Sequence, residues 1–119
     1  VKGKIDKGSI IIIMATDIPL TSRQLKRVCK RASVGLARLG SYIGHGSGEI
    51  IIGFSTANVI KHNEPNSTVS INAINENKIN EVFRAVAEAC EESVLNSMVT
   101  ANKVIGYKGN IRETLKDYL

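Results

Sequence analysis

Two short isoleucine runs set the strongest limit on what this chain can become. Residues 9–16 read Ser-Ile-Ile-Ile-Ile-Met-Ala-Thr, and residues 49–54 read Glu-Ile-Ile-Ile-Gly-Phe. β-Branched side chains favour extended backbone. A run that is apolar at every position, rather than at alternate ones, reads as a strand covered on both faces. Asp17-Ile18-Pro19 closes the first run, since proline has no N–H to offer a ladder. Such strands need a layer on each side, which predicts an α/β layered fold whose sheet is completed by chain outside this sequence.

The segments between the runs read as helices and loops. Thr21-Ser22-Arg23-Gln24 fits a capping box, and Leu25, Val28, Cys29, Ala32, Leu36 and Leu39 follow at steps of three and four, predicting one helix from about Ser22 to Leu39. Gly40 to Gly48 is too rich in glycine for regular structure and leads directly into the second strand. A loop over Asn58–Ser67 precedes Thr68–Ile74, where Val69, Ile71 and Ala73 alternate with polar residues and predict a third strand. From Asn77 to about Asn102 the stripe Ile79, Val82, Phe83, Val86, Cys90, Val94, Met98 and Ala101 predicts a long, mostly buried helix. After a break at Gly106–Gly109, Asn110 with Glu113 three residues on predicts a capped final helix ending near Tyr118.

Composition narrows the function. The chain has 119 residues, no tryptophan and five aromatics (three Tyr, two Phe), so stacking platforms for single-stranded nucleic acid are scarce. Its length supports one core and rules out a two-domain enzyme. Cys29 and Cys90 fall on apolar helix stripes and read as buried free thiols, which favours a reducing cytoplasm. With only His45 and His62 available, no zinc constellation of usual spacing can be drawn. No run approaches the length needed to cross a bilayer. The formal charge is +5, and the excess is local: the first helix carries Arg23, Lys26, Arg27, Lys30, Arg31 and Arg38 with no acid. A basic helix can bind an acidic partner, which would make the chain a binding module. The plainer reading is a solvated face, or one that meets acids on another subunit.

Residues 44–49 read Gly-His-Gly-Ser-Gly-Glu. A phosphate loop follows a strand and opens a helix, whereas this loop follows a helix and opens a strand, so a nucleotide cradle is improbable. The spacing instead puts Ser47 and Glu49 on one face of a strand mouth, because residues i and i+2 point the same way. Taken alone, this could be a polar strand edge. Together with Ser9 at the head of the other core strand, it resembles an N-terminal-nucleophile arrangement, in which cleavage before a serine frees an α-amine to act as its base.

The ordered segments Gly8–Leu20, Gln24–Arg27, Gly35–Arg38, Gly44–Glu49 and Phe54–Asn58 resemble the β-subunit of the L-aminopeptidase/D-esterase family, which also contains the β-peptidyl aminopeptidases. The resemblance implies a precursor that cuts itself between Gly8 and Ser9. Its α-chain and β-chain would remain together in a four-layer αββα sandwich, of the kind also seen in ornithine acetyltransferase. Residues 1–8 would end the preceding α-region or a linker, and 9–119 would be the β-subunit-like domain. Ser9 would be the nucleophile, with Ser47 and Glu49 supporting it, no cofactor and no metal. Asn58 closes a matching motif and is assigned a structural role. The implied partners are the α-chain, further αβ units in a homo-oligomer, and a peptide, amide or ester substrate. A related N-terminal-nucleophile acyltransferase is the neighbouring alternative.

Overall fold

The computed structural model describes residues 8–119, so the expectation for residues 1–7 lies outside the described residues. The two isoleucine runs become β1 (Ile10–Thr16) and β2 (Glu49–Ser55), paired parallel in a two-stranded sheet with Ile10 opposite Glu49 and Thr16 opposite Ser55. Between them run α1 (Ser22–Lys30) and α2 (Ala32–Arg38). The capping box at Thr21 is present: its side chain accepts the Gln24 N–H, and Gln24 Oε1 accepts the Thr21 N–H.

The single helix expected over Ser22–Leu39 is divided at Arg31. There the Arg31 N–H bonds Val28 O at 3.0 Å, and the Arg31 guanidinium donates to Arg27 O at 2.9 Å. The side chain occupies a carbonyl that the regular helix ladder would use. The same guanidinium lies 3.9 Å from the centre of the Phe83 ring. Stacking on Phe83 anchors the kink to the next helix.

That helix, α3, spans Ile79–Thr100 and is preceded by a 3₁₀ turn that Asn75 caps. One core cluster joins Leu20 and Val28 to Ile79, Val82 and Val86, and a second joins Ala32, Leu36 and Cys90. Ile10, Ile12 and Ile51 pack on the second cluster, so the inner face of the sheet rests on the helices. Full burial of side chains of this size is worth about 1.5–3 kcal/mol each. The expected burial of α3 stops at Val94: Leu95, Met98 and Val99 are exposed. Helices α2 and α3 approach through Gly35, where an added Cβ would lie 2.5 Å from Ala87 O and 2.8 Å from Cys90 Cβ. Backbone on one side leaves nothing flexible to yield. Gly35→Ala is therefore expected to destabilise by about 1–3 kcal/mol, read from the denaturation midpoint of the full-length protein. An unchanged midpoint would show that the helices can separate at no cost.

Cover on both faces of the sheet is not what the described residues provide. The inner face is covered, but Ile11 (68% exposed), Ile13 (69%), Ile50 (57%) and Ile52 (56%) open outward. The third strand expected at Thr68–Ile74 is absent, and the segment is irregular. Its ladder groups are committed elsewhere. The Asn58 side chain accepts the Asn72 N–H and donates to Asn72 O, both at 2.8 Å, and Pro19 O accepts the Ile74 N–H at 2.7 Å. These bonds fit the structural role assigned to Asn58. The final helix is also revised. Asn110 closes a turn between β3 (Val104–Ile105) and β4 (Ile111–Arg112), donating its side-chain N–H to Tyr107 O. The cap falls one turn later, where Thr114 and Asp117 form the capping box of a short 3₁₀ turn over Leu115–Tyr118.

Candidate active site

β1 and β2 begin side by side, and that alignment builds the site. The Ile10 N–H bonds Gly48 O at 3.0 Å, which brings Ser9 beside the last residues of the glycine-rich loop. The Gly48 N–H donates to Ser9 Oγ at 3.1 Å. Across the same loop Ser47 Oγ donates to Glu49 Oε1 at 2.5 Å, so the i, i+2 pairing expected from the sequence is present. Ser47 N–H bonds Gly44 O at 2.9 Å and fixes the turn that presents the pair.

Gly8, Ser9, Ser47 and Glu49 line one open cavity with Leu36 and Ser41. The structure therefore brings all four sequence-predicted residues together. Ser9 is exposed while Ser47 and Glu49 are half-buried. Two contributors were not singled out from the sequence: the Gly48 N–H and Ser41. The first was discoverable, because pairing the two strand starts puts Gly48 beside Ser9; the second depends on how α2 ends.

The other groups considered fall away from this cavity. Among the described residues no cluster of three His, Cys, Asp or Glu side chains could hold a metal ion, and no helix is long and apolar enough to cross a membrane. Cys29 and Cys90 are free and buried, and burial pushes both thiols up from their ordinary pKa. Three of the six bases of the basic helix region meet acids of the same chain. Arg23 and Arg27 both pair with Glu76, the latter at 2.8 Å, and Arg38 pairs with Glu91 at 2.9 Å. The Arg23 guanidinium, helped by Gln24 and Arg27, holds the Glu76 carboxyl below the usual carboxylate range.

Comparison with solved structures defines the class. The chain superposes on a protein from Pyrococcus horikoshii OT3 with a TM-score of 0.80 and 46% identity, covering 89% of this chain and 30% of that one. It superposes at 0.78 and 34% identity, over 87% of this chain and 30% of the other, on the L-aminopeptidase D-Ala-esterase/amidase of Ochrobactrum anthropi. That enzyme is described as a prototype for the serine aminopeptidases and a new variant among the Ntn hydrolase fold. The chain thus shares the fold of a class of N-terminal-nucleophile hydrolases. Residues 2–112 match the family model for peptidase family S58, and the chain belongs to that family. It is 39% identical over 102 residues to the β-peptidyl aminopeptidase of Sphingosinicella microcystinivorans, covering 86% of this chain. The chain spans about a quarter of the length of the curated relatives it matches (26% and 25%).

Proposed function

We propose that this chain supplies the nucleophilic half of a self-processing serine aminopeptidase. The observation that carries the reading is the placement of Ser9 Oγ on the Gly48 N–H, between Ser47 and Glu49, in a member of family S58. In the precursor, Ser9 Oγ attacks the Gly8 carbonyl carbon. The Gly8–Ser9 amide bond breaks, an ester to Ser9 Oγ forms, and the hydroxyl proton passes to the departing nitrogen. Water then hydrolyses the ester and leaves Gly8 with a carboxylate and Ser9 with a free amine. Glycine at position 8 eases this step by tolerating backbone conformations that other residues resist.

The freed amine has a reference pKa of about 7.7–8.0 and can take the Ser9 hydroxyl proton near neutral pH without a histidine. Ser9 then acquires the amino-terminal acyl group of a peptide, amide or ester. The departing amine or alcohol leaves with that proton, and water releases the product. Ser47 and Glu49 orient the nucleophile, and the carboxylate supports the amine as it becomes charged.

The remainder of the site comes from an α-chain of the same precursor. It would contribute the oxyanion donors and pocket, and would cover the open isoleucine face to complete a four-layer αββα sandwich. The assembled αβ units form a homo-oligomer, and buried free thiols suit the reducing cytoplasm in which we place it. Intact mass and amino-terminal sequencing of the full-length protein test the reading. The expected result is a fragment beginning at Ser9 together with release of amino-terminal residues from an aminoacyl amide; full activity in an uncut chain would overturn it.

A further inference from the structure

Two glycines of this fold are bare because the chain itself fills the space a side chain would take. An added Cβ would lie 2.5 Å from Ala87 O at Gly35 and 2.3 Å from Cys29 Sγ at Gly53. Gly48 is different. Among the described residues, its chain neighbours apart, the one atom within 4 Å of an added Cβ is Ser9 Oγ, at 3.7 Å, an ordinary van der Waals distance. Nor does the backbone demand glycine there, since the described glycines in the left-handed region are Gly40 and Gly109.

Strand alternation places this open space beside the nucleophile. Ile11 and Ile50 sit opposite each other in the ladder and both are exposed. Ser9 and Gly48 each precede them by two residues and share their face, and all four line one open cleft. Ser47 and Glu49 alternate to the other face, on which Ile10 and Ile51 rest against the helices. The Ser9 hydroxyl thus stands between a polar side, which holds the supporting pair, and an aliphatic side whose floor is bare backbone.

We propose that Gly48 is a specificity-determining residue: its missing side chain leaves the space for the α-carbon substituent of the acyl group on Ser9, with Ile11 and Ile50 as aliphatic walls. The inference rests on Ser9 being the nucleophile and names the part of the substrate that this chain meets. Once an acyl carbon is bonded to Ser9 Oγ, its substituents lie two bonds from that oxygen. A Cβ 3.7 Å from the same oxygen competes with them for space. Of those substituents, the oxygen needs hydrogen-bond donors and the leaving group needs a proton, and aliphatic walls serve neither. The Gly48 N–H is itself committed to Ser9 Oγ. The carbon chain of the acyl group is what suits this side. The self-cut meets the same constraint, because the acyl group that Ser9 then carries is that of Gly8, which has no α-substituent.

The test uses the full-length protein and aminoacyl amides that share one chromogenic leaving group: glycyl, alanyl and leucyl, the chiral ones in both hands. Gly48→Ala is expected to keep the Ser9 fragment and the wild-type denaturation midpoint. It should lower kcat/KM progressively along the series, the alanyl amide of the preferred hand falling about 10–200-fold further than the glycyl amide. Gly48→Val is expected to deepen the loss in the same order. An equal loss for every substrate, no loss, or a wild-type protein confined to the glycyl amide would overturn the proposal. So would a Gly48→Ala protein that stays uncut or melts earlier, which would assign the bare position to packing. A wild-type protein fully active without the cut would instead overturn the Ser9 reading, and that result is seen before any variant is made.

Discussion

Ser9→Ala in the full-length protein is expected to yield a single uncut polypeptide with no measurable turnover of an aminoacyl amide. Removing a serine nucleophile has cost on the order of 10⁶-fold in a serine protease. Here the same change would also abolish the cut that creates the base. The substitution should spare the fold: Ser9 is exposed, and its Oγ accepts one hydrogen bond, from Gly48. An unchanged denaturation midpoint with one intact band therefore separates a chemical role from a structural one. Cleavage before position 9 in this variant would assign the attack to another group.

Glu49→Gln is expected to preserve the cut but lower kcat by about 10²–10⁴-fold, the range for a group that assists proton transfer. Glutamine is nearly isosteric, and its carbonyl oxygen can still accept the Ser47 hydroxyl that Glu49 accepts in the native chain. What it loses is charge. A carboxylate near the amine favours the protonated amine and raises its pKa; without it that pKa falls. Activity requires the neutral amine, so the rising limb of the pH–kcat profile should move to lower pH in the variant. A merely structural role would not move that limb, and a wild-type profile with wild-type kcat would remove Glu49 from the mechanism.

The strands and the site were legible in the sequence because their signals are local. Four consecutive isoleucines admit few alternatives to a strand, and Ser47 and Glu49 share a face for the same geometric reason in any strand mouth. The elements that were misread depended on partners remote in sequence. Val69, Ile71 and Ala73 alternate as a strand should, yet the Asn72 backbone is committed to Asn58, fourteen positions earlier. The division at Arg31 follows from its guanidinium lying over Phe83, on a helix that begins far downstream. Asn110 and Glu113 had capping spacing, but the hairpin turn claimed Asn110 first. The basic helix could not reveal its own counter-ions, because Glu76 and Glu91 come from the turn before α3 and from α3 itself, beyond β2 in the sequence.

The double hydrogen bond between the Asn58 side chain and the Asn72 backbone has a consequence for engineering. It closes residues 59–71 into a ring whose neck, rather than its contents, is joined to β2 and to the turn before α3. Lengthening a closed surface loop costs little, only about 0.6 kcal/mol for each doubling. A reporter peptide or small folded module placed near Glu64–Ser67 would thus hang from a fixed pair of anchor points, and the strand starts that form the Ser9 cavity, at the opposite end of β2, would keep their register.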